Sequence, residues 1–189
     1  MARPRIGILA LQGDFGAHQK AFGRAGAEAV QVRTAEELER VQALVIPGGE
    51  STTMLKLMRE EDLFEPVRRF GRRRPVFGTC AGAILLAARV THPGQESLGL
   101  MDIDVERNAY GRQLDSHVAR LDDAEGGPLE AVFIRAPIIR RVGPAVRVLA
   151  CYQGAPVLVE EGLHLAATFH PELSEDDRVQ RWFVRKVAS

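Results

Sequence analysis

The chain is 189 residues long, 46% hydrophobic and 26% charged, ordinary for a water-soluble globular protein and long enough for one domain, residues 1–189, with a substantial core. Its 25 basic and 25 acidic side chains cancel, which argues against a nucleic-acid surface, and the apolar run from Ile6 to Leu11 is far too short to cross a membrane. The two cysteines, Cys80 and Cys151, set up no disulfide framework and no metal-ligand spacing is present, so a free thiol in a reducing cytoplasm is expected, with no metal and no cofactor.

In chain order, Arg5 to Ala10 reads as a strand and Phe15 to Arg24 as a helix that ends near Gly26. Ala29 to Val32 is a second strand, after which Thr34 and Glu37 make a capping-box pattern for a short helix. Ala43 to Ile46 is a third strand, closed by Pro47-Gly48-Gly49. Ser51 to Glu60 and Asp62 to Phe70 read as helices, and the arginines at 68, 69 and 72 to 74 complement the dipole at the second helix end. Alternation of this kind predicts a parallel sheet covered by helices on both faces.

Val76-Phe77 then leads into Gly78-Thr79-Cys80-Ala81-Gly82, and Ala83 to Ala88 continues as a helix. A strand, a sharp turn and a helix place a thiol at the apex of a strained turn. Small neighbours there let a substrate approach, and the helix N-terminus favours a thiolate. Alone, Gly-x-Cys-x-Gly fits a small buried cysteine on a tight loop equally well. A base elsewhere decides between the two.

The second half is richer in strands: Leu114 to Leu121, Ala131 to Ile134, Val146 to Tyr152, Ala155 to Val159 and Leu163 to Phe169. Gln153-Gly154 reads as a hairpin turn, so part of the sheet is antiparallel. Asp122 to Pro128 is a polar loop, and Asp176 to Val187 a closing helix with Trp182, Phe183 and Val187 towards the sheet. The last strand runs into His170-Pro171-Glu172. Pro171 keeps His170 out of the helical region, and in an extended chain His170 and Glu172 point to one side. Cys80, His170 and Glu172 then make a nucleophile, a base and the group that orients it. Sites in open α/β sheets lie at the carboxyl ends of strands, and Pro47-Gly48-Gly49-Glu50 ends one too. Backbone N–H groups of Gly49 and Ala81 are candidates to hold an oxyanion. His18, His92, His117 and His164 have no partner motif and read as surface or structural residues; Cys151, in a predicted strand, reads as an inert core thiol.

Gly78-Thr79-Cys80-Ala81-Gly82 with His170-Pro171-Glu172 resembles the class I, or triad, glutamine amidotransferases. Four further segments narrow the resemblance to the glutaminase subunits of pyridoxal phosphate synthase, over essentially the whole chain. They are Leu11 to Asp14, Pro47-Gly48-Gly49-Glu50-Ser51-Thr52-Thr53, Glu106-Arg107-Asn108-Ala109-Tyr110-Gly111-Arg112-Gln113, and Phe133 to Pro137. The resemblance implies an α/β fold of three α/β/α layers, flavodoxin-like, with a mixed, largely parallel central sheet. It implies hydrolysis of L-glutamine through a Cys80–His170–Glu172 triad and a γ-glutamyl thioester. Ammonia would pass through a tunnel to a (β/α)-barrel synthase subunit, which activates the glutaminase within a large complex. Gly48, Gly49, Glu50, Arg107, Ile134 and Arg135 fall at the family's glutamine-binding positions, Arg107 as the cation for the substrate α-carboxylate. Two other readings stand beside this one: the glutaminase of imidazole glycerol phosphate synthase, and a non-catalytic cysteine-based sensor, which would not need His170 and Glu172.

Overall fold

The computed structural model describes residues 3–108, 116–125 and 127–189. In its first half β1 (Arg5–Leu9), β2 (Glu28–Val32), β3 (Ala43–Ile46) and β4 (Val76–Thr79) alternate with α1 (Phe15–Arg24), α2 (Ala35–Glu39), α3 (Ser51–Glu60) and α4 (Phe64–Gly71). After α5 (Ala81–Leu86) the chain forms β5 (Ala87–Thr91), β6 (Met101–Glu106), β7 (His117–Asp122), β8 (Pro128–Phe133) and β9 (Ile138–Val142). β10 (Arg147–Tyr152), β11 (Ala155–Glu161), β12 (His164–Ala167) and α6 (Arg178–Ala188) complete it. Seven strands pair in the order β10-β11-β12-β4-β3-β1-β2. β2, β1, β3, β4 and β12 are mutually parallel, while β11 joins β12, and β10 joins β11, antiparallel. This is the mixed, largely parallel α/β sheet that the sequence predicts.

Strand residues alternate between two cores. Leu44 and Ile46 face Leu38 of α2, Met54 and Met58 of α3 and Val67 of α4, whereas Ala43 and Val45 face the opposite layer with α1 and α6. A sheet buried on both faces explains why its strands are apolar throughout. Phe22 of α1, Phe77 of β4 and Phe183 of α6 meet with ring centroids between 5.5 and 6.4 Å apart, which locks two helices onto the strand before Cys80. Local signals act as read. Thr34 Oγ1 accepts from the Glu37 N–H and the Glu37 carboxylate accepts from the Thr34 N–H, both at 3.2 Å. Gln153 and Gly154 take φ of 49° and 79°, the left-handed pair that a tight β10–β11 hairpin requires.

Four expectations are corrected. The second helix starts at Phe64, because Asp62 turns left-handed at φ 52°. The helix after Cys80 ends at Leu86, not Ala88: Ala87, Arg89 and Val90 pair with Met101, Asp104 and Val105, and this pairing overrides the helix preference of an alanine-rich run. With β9 these strands form a second, three-stranded sheet absent from the sequence reading. It carries a ladder of ion pairs, Arg89 and Arg141 to Asp104 and Arg140 to Glu106. Cys151 is exposed, because β10 is an edge strand whose register shifts on both sides of Ala150 and turns the thiol outward. Of the strand expected from Leu114, the part from His117 is β7; Leu114 and the motif residues Ala109 to Gln113 lie outside the described residues. Among the described residues no helix is long and apolar enough to cross a membrane.

Candidate active site

β3, β4 and β12 are neighbours, so the segments that follow them meet at one edge of the sheet. Between β4 and α5, Cys80 has φ 50° and ψ −106°, a conformation that L-residues avoid and that marks a strained functional turn. The flanking glycines make the turn possible. A Cβ on Gly78 would lie 2.4 Å from the Gly82 carbonyl oxygen, and one on Gly82 would lie 2.1 Å from that of Ile46. The Cys80 N–H donates to the Ala167 carbonyl of β12 at 2.8 Å, so the turn is tied to the strand that leads to His170. Its Sγ lies 3.8 Å from the Ile134 carbonyl oxygen.

His170 is held by its N–H, which donates to the Val132 carbonyl of β8 at 2.8 Å. Its Nδ1 lies 2.7 Å from Oε1 of Glu172. Pro171 does keep His170 out of the helical region (ψ 83°), but the chain does not stay extended: Pro171–Leu173 is a 3-10 turn. That turn, not strand alternation, swings Glu172 back under the imidazole. Burial opposes charge on His170, but the hydrogen bonds and charges of Cys80 and Glu172 outweigh it and push its pKa up to about 10. Burial likewise opposes ionisation of Glu172, and the adjoining His18 and His170 imidazoles outweigh it and hold the carboxyl below its usual range.

The loop after β3 closes over this pair. A Cβ on Gly48 would stand 2.5 Å from His170 Cε1 and 3.3 Å from Cys80 Cβ, so only a bare backbone fits there. Gly49, at φ 141°, precedes Glu50, whose N–H donates to Gln12 Oε1 at 3.0 Å. Glu50 caps α3: its carboxylate accepts from the Thr52 and Thr53 N–H groups at 3.0 and 2.7 Å and from the Thr53 hydroxyl at 2.8 Å. Burial, the largest single influence, raises its pKa, and these hydrogen bonds together overcome that and lower it to about 2. Arg107 donates to Thr52 Oγ1 at 2.9 Å and lies 3.2 Å from Glu50 Oε1. A cavity of about 280 Å³ results, lined among others by Gly49, Glu50, Cys80, Ala81, Arg107 and Arg135. Gly48 backs Cys80 and His170, and Ile134 offers its carbonyl to the thiol. The residues singled out in the sequence are thus brought together.

One neighbour of the triad was missed. His18 of α1 is fully buried, with Nε2 3.5 Å from Glu172 Oε2 and 3.2 Å from Thr79 Oγ1. The other histidines stand apart: His164 accepts from the Val76 N–H at 3.2 Å, and the His117 ring stacks on Phe133.

Residues 8–189 match the SNO glutamine amidotransferase family. The chain is 60% identical to the pyridoxal 5'-phosphate synthase subunit PdxT of Solibacter usitatus, over 97% of this chain and 99% of that one. It is 51% identical to the subunit of the same name from Thermus thermophilus, over 95% of each. A crystal structure of a glutamine amidotransferase superposes with a TM-score of 0.91 at 48% identity, covering 97% of this chain and 99% of that one. The Thermotoga maritima PurLQS structure, with a TM-score of 0.73 at 15% identity over 98% and 97% of the two chains, shares the fold. A thiol at a cavity wall, backed by an imidazole and a buried carboxylate, in a chain so closely related to these proteins, leads to one conclusion: it belongs to the SNO glutamine amidotransferase family.

Proposed function

We propose that the chain, as one glutaminase domain, hydrolyses L-glutamine to L-glutamate and ammonia and supplies the ammonia to a pyridoxal phosphate synthase subunit of (β/α)-barrel fold, in the cytoplasm. The observation that supports the reading is the succession of Glu172 Oε1, the His170 ring and the strained Cys80, which lines the cavity. The names of the relatives at 60% and 51% identity favour pyridoxal phosphate over imidazole glycerol phosphate synthesis.

The mechanism follows from these positions. The Cys80 thiolate attacks the side-chain amide carbon of glutamine. The carbonyl π pair moves to oxygen, and N–H groups of Gly49 and Ala81 hold that oxyanion; each such donor is typically worth roughly 3–4 kcal/mol of barrier. As the first residue of α5, Ala81 has an N–H without an intrahelical partner, and so is suited to the task. Collapse of the intermediate breaks the C–N bond, and His170 gives its proton to the departing ammonia. His170 then takes a proton from water, whose oxygen attacks the γ-glutamyl thioester and releases glutamate and Cys80. Glu172 holds the imidazole through Nδ1 throughout. Arg107 offers two parallel N–H groups to the substrate α-carboxylate, and Glu50, Ile134 and Arg135 complete the glutamine site.

The test is glutamate release from L-glutamine, with and without the synthase subunit, for the wild type and Cys80→Ala. The expected result is partner-stimulated turnover that falls by at least about a thousandfold in the variant. Turnover retained by Cys80→Ala removes the thiol from the mechanism. Absence of turnover with the partner bound rejects the reading as a whole.

A further inference from the structure

Glu172 is almost wholly buried, and His170 uses only one of its two carboxylate oxygens. The other, Oε2, has Nε2 of His18 at 3.5 Å. The same nitrogen lies 3.2 Å from the hydroxyl of Thr79, the residue directly before the nucleophile. Among the described residues Oε2 has no donor within hydrogen-bond geometry, and a buried carboxylate oxygen left so is costly, so this contact calls for a proton between the two atoms.

Two facts assign that proton. Burial is the dominant influence on His18 and, with the charge of His170, outweighs the opposing pull of Glu172 and Asp14, holding its pKa below the usual value. The ring is therefore mainly neutral at pH 7 and acts on Glu172 through an N–H dipole, not a full charge. A neutral ring with its Nε2 lone pair towards a carboxylate would set two acceptors against each other, whereas an Nε2–H shared between Thr79 Oγ1 at 3.2 Å and Glu172 Oε2 at 3.5 Å gives the carboxylate a donor. Nδ1, which has no hydrogen-bond partner among the described residues, is then a bare acceptor, less costly than an orphaned N–H.

We propose that His18 is a positioning residue of the triad: its Nε2–H donates to Glu172 Oε2, fixes the rotation of that carboxylate and so keeps His170 aimed at Cys80, while its contact with Thr79 ties the same ring to the turn that carries the thiol. The proposal deepens the glutaminase reading and rests on it. His18 touches neither substrate nor reacting atoms. Its place is set by α1, which Asp14 caps by accepting from the Ala17 N–H at 2.9 Å and which packs against the 3-10 turn holding Glu172. The charged groups around the ring are Glu172 from that turn, His170 from the end of the strand before it, and Asp14 from the cap of α1; Thr79 from β4 is neutral.

The experiment compares wild type, His18→Leu and His18→Gln. Leucine fills much of the volume without a donor, and glutamine retains an N–H. Glutamine hydrolysis is measured in complex with the synthase subunit, and alkylation of Cys80 by iodoacetamide is followed against pH. His18→Leu is expected to lower kcat about ten- to hundredfold with KM within about twofold, and to displace the alkylation profile, as loss of a partner behind a functional histidine does. His18→Gln is expected to recover most of both. A His18→Leu protein with wild-type kcat and profile overturns the proposal, as does an equal loss in His18→Gln. The ¹⁵N shifts of His18 in the wild type give a readout that needs no variant to fold: a neutral Nε2–H ring supports the proposal and an Nδ1–H ring overturns it. A wild type that releases no glutamate, but whose alkylation profile responds to His18→Leu, sinks the glutaminase reading and supports the positioning role.

Discussion

At the scale of single residues the site is a proton store. His170 lies between a sulfur and a carboxylate, and both neighbours favour its charged form, which takes its pKa from an ordinary 6.5 to about 10. The folded chain therefore binds a proton at His170 that the unfolded chain has lost above pH 6.5. The stability this provides is complete below that pH and disappears as the pH rises towards 10. Replacing Cys80 by Ser removes one of the two neighbours. The expected outcome is a His170 pKa well below 10 in the variant, read from its imidazole NMR shifts, and a shallower loss of stability on the alkaline side. An unchanged pKa would show that Glu172 alone holds the proton. Glu50 works in the opposite sense: its carboxylate is committed to the N-terminus of α3, and at about 2 its pKa keeps it charged at every pH where the protein would work.

The elements bring these residues together through close backbone approach. α5 presses on β3 where Gly82 meets the Ile46 carbonyl, and the turn folds on itself where Gly78 meets Gly82. Gly82→Ala has no flexible side chain to push aside, only backbone. It is expected to cost about 1–3 kcal/mol or more in urea unfolding and to remove glutaminase activity together with the Cys80 conformation. A variant with wild-type stability would mean that β3 and α5 can separate freely. These contacts also explain what was legible beforehand. β1 to β4, the capping box, the β10–β11 hairpin and the thiol turn are written in local patterns: apolar runs, glycine at left-handed positions, paired Thr and Glu. β5 and β9 are not, because an alanine-rich run and a short Ile-Ile-Arg-Arg-Val segment take on strand form only through pairing with β6. Met101 to Glu106 does alternate apolar and acidic residues, a period-two signal open to reading. His18 left no such trace. One histidine on a helix carries no motif, and its meaning arises only where α1 touches a turn from the far end of the chain.

Across the whole molecule, a second polar anchor holds the β7–β8 hairpin to α6. Asp123, buried in the bend between those strands, accepts from the Glu125 and Gly127 N–H groups at 2.9 and 3.1 Å and from Arg178 at 2.8 Å. Burial raises its pKa, and these donors, Arg178 foremost, more than reverse the effect. A lowered folded-state value means that the contribution is full above the ordinary aspartate pKa, about 3.9, and is lost as the pH falls through the folded value. Asp123→Ala is expected to cost about 1–3 kcal/mol at neutral pH, and the gap to the wild type should narrow in acid. A gap independent of pH would assign the loss to packing instead of charge. The strand order of the large sheet has a consequence of a different kind. β12 is the last strand in the chain, yet it lies in the interior of the sheet, between β4 and β11. A growing polypeptide that has reached α5 already contains the thiol, but β4 is still an open edge and His170 is not yet made. Only when the final strands insert does the base arrive, on the same hydrogen-bonded rung that binds Cys80 to Ala167. Under the mechanism proposed above, chemical competence is therefore deferred to the closing step of assembly: a copy without its final strands lacks the base, and a chain that can react is one whose sheet has closed.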